Sequence, residues 1–550
     1  MKKPSIKAPA LKAPKLAEGL RRPGFGGGLP GGSRTGQSLL AAAAVLGLVF
    51  GIAELRPPAQ PTTAGPHGAP TTAQVERTAA VCPPPRQGLT GTTALTLFNP
   101  AGSTAKGTGS LSDVAPPSAA APAPSSAAPS GSASGSPSAQ PAAAAGAPAA
   151  RLTLAKSGVP VTGTAASGDT TATGATATGG FAPGFTVSQT TTMADQSSAG
   201  LAGVTCAEPG SDFWFVGAST AASRRDYVTL VNTDSSPATV DVRLVGDKGP
   251  IDSDNGTGIS LAPGTSQSLL LSTMLKTETP DLAVHVVARG GRVAAGLEAA
   301  EEGKGVDWIA ASAAPAATQV IPGLPADRSA ARLVVAAPAD DDADLKIQIS
   351  GKNGWFTPAG KETLHVKAGM VAALDLGGGA NTRSEVGAIR LSPSDPAHPT
   401  PIVATVRVDR SNNGKSEAAW IAAAGPVGKR ASIADNRGGG ATSVLLTSTG
   451  TADAKVRLTA SAGSGGGTPA TKEVDVPAGA TVAVQGLEPA GLNGTYGITV
   501  ETLSGGPVVA ARMLAVNQKE LPAFTIQALQ DDHSTVVVPF AQNDPGLLLR

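Results

Sequence analysis

The residue types that ordinarily carry chemistry are sparse in this 550-residue chain, and their spacing suits none of the common reactions. Five histidines, His67, His285, His365, His398 and His533, are scattered, and none pairs with another at metal-ligand spacing. No G-x-S-x-G nucleophile elbow occurs. Gly414-Lys415-Ser416 lacks the upstream glycine of a phosphate loop, and Asp409 fills that slot. Gly26 to Gly31 satisfies G-x-G-x-x-G, but no strand precedes it and Pro30 spoils the helix start. Asp252-Ser253-Asp254-Asn255-Gly256 resembles a calcium loop, yet its glycine comes one place early and Pro263 stands where a bidentate Glu is required. A hairpin turn is the better reading there, and Asp340-Asp341-Asp342 with Asp344 reads as a solvated turn. No catalytic residue, cofactor or metal site is therefore expected. Nor is a deep polar cleft of converging His, Asp or Glu expected in residues 216–550.

Two residue pairs stand apart. Cys82 and Cys206 are the chain's two cysteines. Cys82 lies in Val81-Cys82-Pro83-Pro84, and Cys206 just precedes Asp212-Phe213-Trp214-Phe215-Val216, so both occupy the same slot one repeat apart. A disulfide would tie the ends of an N-terminal unit together, and two separate thiols are the alternative. Trp355-Phe356 falls in a Gly-, Lys- and Asn-rich segment read as a loop, where it could stack on a sugar ring or anchor a partner. The simpler reading tucks the pair over its own sheet edge. Trp214, Trp308 and Trp420 fall at repeat-equivalent strand positions and read as core.

The elements that must position these residues repeat. Ile259-Ser260-Leu261-Ala262-Pro263-Gly264 recurs at Leu364 to Gly369 and at Val474 to Gly479, offsets of 105 and 110 residues. Upstream of each copy lies an alternating strand: Val240-x-Val242-x-Leu244, Leu345-x-Ile347-x-Ile349 and Val456-x-Leu458. The period of two buries one face, and it leaves Asp241 and Arg243 on the wet one. Gly-Gly hairpins follow at 290–291 and 505–506. Seven or eight short strands per unit predict a mainly β chain of tandem immunoglobulin-like β-sandwich domains. The units are residues 216–319, 320–432 and 433–550, preceded by a degenerate β-domain at 81–215. That first domain carries a tract at 115–150 of Ala, Pro, Ser and Gly with a single Gln, which reads as a disordered insertion.

Ahead of the domains lies an address. Residues 1–37 hold eight basic side chains against the single acid Glu18, and the other 513 residues carry 34 basic and 40 acidic groups, net −6. That exterior gives no electrostatic footprint for nucleic acid. An apolar run from Leu39 to Ala53 follows the basic tail. Extended to 38–55, it reads as a transmembrane signal anchor with the tail in the cytoplasm and the bulk outside, above a flexible stalk at 56–80. A cleaved signal peptide, which would give a secreted protein, is the competing reading, and a buried core helix is a third.

The anchor, the Cys82-Pro83 strand, the stretch from Cys206 through Asp212-Phe213-Trp214-Phe215-Val216-Gly217 and the Ala/Gly/Pro-heavy composition together resemble an actinobacterial family of large secreted proteins that carry domain-of-unknown-function family 5719. The resemblance implies a secreted or membrane-anchored envelope protein and supplies no catalytic residues. The expectation is thus a non-catalytic structural or interaction protein whose partners are envelope proteins or cell-wall glycans. A carbohydrate- or peptidoglycan-binding protein using Trp355 and Phe356 is the alternative, disfavoured by an aromatic content of 3%.

Overall fold

The computed structural model describes residues 71–538, apart from the segments 86–90, 103–105, 116–148, 166–170, 194–198, 380–383 and 519. The expected transmembrane segment at 38–55, the basic tail and residues 116–148 of the Ala/Pro/Ser tract lie outside the described residues. So does the part of the expected stalk before residue 71. Its remainder is not stalk, because Thr71–Gln74 and Arg77–Cys82 are strands. Among the described residues no helix is long and apolar enough to cross a membrane.

The chain is built from antiparallel sheets that pair off over four apolar clusters. Each pair forms a two-sheet module. The second module shows the pattern. Asp212–Ala218, Leu282–Gly290, Ala238–Gly246 and Gly249–Ile251 form one sheet, with Ile259–Leu261 added against Ala238–Gly246. Thr265–Leu270, Tyr227–Asn232, Ala294–Glu301 and Gly305–Ile309 form the other. The first module runs from Arg77–Cys82 to Gly200–Thr205, the third from Gln319–Leu324 to Lys415–Ala422, and the fourth from Arg430–Asn436 to Leu521–Leu529. In the first, the strands flanking 116–148, Gly107–Asp113 and Ala150–Leu154, pair with each other.

Period-two patterning explains which faces close. Val240, Val242 and Leu244 are buried, as are Leu345, Ile347 and Ile349. The repeated strands occupy one place: Ile259–Leu261, Thr363–Val366 and Ala470–Val476 each pair with the alternating strand before them. The glycine after each adopts a positive φ, 64° at Gly264, 65° at Gly369 and 73° at Gly479, which a side chain would strain.

Three expectations are corrected. An immunoglobulin sandwich seats its first strand beside its second and its last beside the penultimate one. Here the first strand of the second module, Asp212–Ala218, pairs with Leu282–Gly290 rather than with the second strand, Tyr227–Asn232, so this edge strand has changed sheets, while the last strand, Gly305–Ile309, stays beside Ala294–Glu301. Patterning dictates the buried face of a strand and is silent on its neighbour. Second, boundaries placed at 216 and 433 cut through the strands Asp212–Ala218 and Arg430–Asn436, which open modules, and the last described strand, Thr535–Val538, belongs to neither sheet of the fourth module. Thr535–Val538 instead pairs with Thr71–Gln74, bringing the two ends of the described chain together. Third, Asp241 is buried: its Oδ1 accepts from Gly258 N–H at 2.9 Å and from Arg289 at 2.7 Å, while Arg243 stays exposed.

The modules close into a ring. Gly200–Thr205, Gly305–Ile309, Lys415–Ala422 and Leu521–Leu529 are the last strands of the four modules, and each touches the next, with Leu521–Leu529 returning to Gly200–Thr205. These axial strands share their neighbours' cores. Trp420 and Ala418 of the third module sit in the second module's cluster, and Phe524 and Ile526 of the fourth sit in the third's. Leu201 of the first module packs with Leu514, Leu521 and Ala523 of the fourth, which closes the circle.

Candidate functional site at the ring axis

Each axial strand is a sheet edge, so one row of its backbone groups lacks a ladder partner. In a dry axis those N–H groups need acceptors. Two carboxyl groups supply them. Glu417 accepts from Leu201 N–H at 2.6 Å through Oε1 and from Phe524 N–H at 2.5 Å through Oε2, joining the third module to the first and fourth. Asp307 of the second module accepts from Gly203 N–H at 3.0 Å and from the Thr525 hydroxyl at 3.1 Å, and it also bonds the Trp308 and Trp420 backbone. One carboxyl therefore meets all three other modules.

Burial governs the protonation of both. It pushes Asp307 up to about 8, against the opposing pull of its hydrogen bonds to Gly203, Trp308, Thr525 and Trp420. Burial also lifts Glu417 well above the ordinary range, and the neighbouring Asp307 adds to the rise, while Leu201, Phe524 and Arg410 oppose it. Asp307 and Glu417 thus converge at the axis. They face backbone donors and, at Asp307, the Thr525 hydroxyl.

Trp420 links the axis to the joint between the second and third modules. The guanidinium of Arg224 lies 4.9 Å from its ring centroid and that of Arg407 5.7 Å. Carboxylates balance these cations. Arg224 pairs with Asp226 at 2.6 Å, Arg407 with Glu301 at 2.7 Å and Asp409 at 3.0 Å, and Lys304 with Asp409 at 2.7 Å. Burial raises Asp226 to about 6 even beside Arg224.

Outward from Trp308, Trp420 and Gln527, the axial strands run into small residues, Ala310-Ala311, Ala422-Ala423 and Ala528. The space they leave is a cavity of about 550 Å³ between the modules. Phe213 and Phe215 wall it, and Glu208, Asp212, Asp531, Asp532 and His533 also line it. Arg430 neutralises Asp532, and His285 pairs with Asp212 at 2.9 Å.

The residues singled out from sequence fall elsewhere. Cys82 and Cys206 form a disulfide, Cα to Cα 4.5 Å, inside the first module's core. Cys206 also lines the cavity. Trp355 and Phe356 lie in the strand Gly354–Phe356 rather than in a loop, and both are half-buried. Arg390 covers one face of the Trp355 ring at 4.3 Å, and Phe356 packs on the third module's core. A Cβ on Gly479 of the fourth module would come within 2.7 Å of the indole, so Trp355 belongs to a module joint. Trp214, Trp308 and Trp420 are buried, each at a joint. Among the described residues no group of three or more His, Cys, Asp or Glu could hold a metal ion. Sequence reasoning missed Asp307 and Glu417. The one available signal was a lone acid inside each otherwise apolar strand, Val306-Asp307-Trp308-Ile309 and Glu417-Ala418-Ala419-Trp420.

Fold and site together define a closed ring of four two-sheet β modules clasped at its axis by buried carboxyl groups. The chain belongs to the family described as a family of unknown function, DUF5719, which it matches over residues 161–486. That span holds the whole of the second and third modules and parts of the first and fourth. No curated protein and no solved structure matches it.

Proposed function

We propose that the chain is a membrane-anchored, extracytoplasmic, non-catalytic structural or interaction protein of the cell envelope, of the actinobacterial large secreted type. The observation that carries this reading is the Cys82–Cys206 disulfide, because such bonds persist in oxidising compartments outside the cytoplasm. The basic tail before Leu39 to Ala53 supplies a matching topology, with the cytoplasm on the basic side. The engagement of Asp307 and Glu417 by backbone donors supports a non-catalytic role, since acid–base chemistry requires a carboxyl group within reach of substrate. Partners are envelope proteins, met on the outer loops and at the joints. A glycan reading through Trp355 is less well served, because Arg390 occupies one ring face that a sugar would need.

Protease added to intact, wall-stripped cells tests the address. Digestion of the bulk of the chain is expected. Protection of everything except the first 37 residues would reverse the topology, and release of the intact protein into the medium would show a cleaved signal. Crosslinking followed by pull-down from the same cells then tests for envelope partners.

A further inference from the structure

Among the described residues the exposed large hydrophobic side chains are Leu503 at 39% and Val536, Val537 and Val538 at 47%, 68% and 41%. Three of the four thus fall consecutively on one strand, which forms a two-stranded ribbon with Thr71–Gln74. Such a ribbon is marginally stable alone in water, and an uncharged, β-branched strand at an open edge invites a covering. Its root is held where Val75 N–H donates to the Ser534 carbonyl at 3.0 Å. The valines lie beyond the root, toward the tip where Thr71 pairs with Val538. Strand alternation sends Val536 and Val538 to one face and Val537 to the other. Ala73 stands opposite Val536, and Thr72 opposite Val537. A rigid protein surface would cover one face and leave the other wet, whereas a fluid lipid interface surrounds both. The course of the chain points to the same occupant. Only residues 54–70 separate the apolar run Leu39 to Ala53 from Thr71, a tether of at most about 60 Å when fully extended. The tip is therefore the first described part that the chain reaches from that run. Beyond Val538 the sequence carries Phe540 and Leu547-Leu548-Leu549, with Asp544 and Arg550 as its charged residues.

We propose that the tip of this ribbon docks on the outer surface of the membrane that anchors the chain, with Val536, Val537 and Val538 set among the headgroups and the first acyl carbons. The unpaired backbone edges hold it at that boundary, because an open strand edge is not tolerated in hydrocarbon. The inference rests on the anchored reading given above, and the two can fail separately.

The full chain reconstituted in phosphatidylcholine vesicles tests it. The native cysteines are bridged, so Thr72→Cys supplies one reactive thiol for an environment-sensitive dye. Lys352→Cys, on an exposed hairpin of the third module, supplies the comparison. Lipid carrying a nitroxide near its headgroup should quench the dye at residue 72 several-fold more than at residue 352. The contact is apolar, so added salt should leave the quenching unchanged. Val536→Thr, Val537→Thr and Val538→Thr together keep β-branched side chains in the strand while removing its apolar surface, and they should bring quenching at residue 72 down to the comparison level. Flotation separates the two readings. A chain that does not float with the vesicles overturns anchor and docking together, and a chain that floats with residue 72 unquenched overturns the docking alone. Equal quenching at both positions, or quenching unchanged in the triple variant, would also overturn it. Disulfide-linked dimers of the unlabelled Thr72→Cys chain, without quenching, would assign the ribbon to a second copy instead.

Discussion

Asp307 shows how one residue can hold a ring. Its carboxyl meets the backbone or side chains of three other modules, so its removal should be felt everywhere. Asp307→Ala leaves the Gly203 N–H without an acceptor in a dry axis, and a loss on the order of 3 kcal/mol is expected in chemical denaturation. The pH dependence has a definite sign. Burial raises the folded-state value to about 8 from 3.8. The stability contributed by this group is therefore full below about pH 4 and is lost as pH rises through about 8. The melting temperature of the wild type should fall across that window. Asp307→Asn, which cannot titrate, should show a flatter profile, and an equally steep fall in the variant would refute the assignment. Glu417 makes a different demand. Both of its oxygens accept backbone bonds, and an amide offers only one acceptor, so Glu417→Gln should cost about 1–3 kcal/mol.

At the scale of elements, the axial strands do double duty: they complete their own sheets and plug the core of the module before. Trp420 fills space in the second module and carries two guanidinium groups against its ring. Trp420→Ala should cost about 3–5 kcal/mol, and the damage should appear as faster amide exchange in the strands of the second module rather than in those of its own. The disulfide acts on a different pair of elements. It joins the opening strand of the first module to the end of that module's axial strand across a separation of 124 residues. In the chain-entropy model its loss, tested by Cys82→Ser with Cys206→Ser, costs about 4–5 kcal/mol. The positive φ at Gly217 and Gly323 marks a bulge in the opening strands of the second and third modules, where the register shifts. A Cβ on Gly323 would come within 2.6 Å of Ala511, so Gly323→Ala strains the joint between the third and fourth modules.

Over the whole molecule, closure changes what a repeat protein usually does. An open array of modules can melt piece by piece, because each contacts only its neighbours in sequence. Here the first and fourth modules share the Leu201 cluster and the Glu417 bridge, and Thr71–Gln74 pairs with Thr535–Val538. Calorimetry should therefore give one cooperative transition for the ring, and two or more well-separated transitions would show that the modules fold independently.

The sequence by itself determined what depends on local pattern. Alternation at Val240, Val242 and Leu244 dictated a strand with one buried face, and a Gly placed after each repeated strand dictated a left-handed turn. The recurrence of those signals disclosed the repeated β architecture, and two cysteines in equivalent slots pointed to their bridge. Tertiary structure decided everything that depends on which surface meets which. Alternation marks Asp241 as outward, but the outward face of a strand becomes interior where Arg289 and the Gly258 backbone fold over it. An acid in an apolar strand, as at Asp307, is ambiguous until donors from three distant strands, the backbone at Gly203 and Trp420 and the Thr525 hydroxyl, are brought around it. The sequence left Trp355 between an exposed anchor and a side chain tucked over its own sheet edge, because it could not show Arg390 or the neighbouring module. The seat of the second module's first strand is decided by pairing across 75 positions, Asp212 with Val287, and the ring and its axial cavity by contacts between residues a hundred or more positions apart, for which a single chain's periodicity carries no signal.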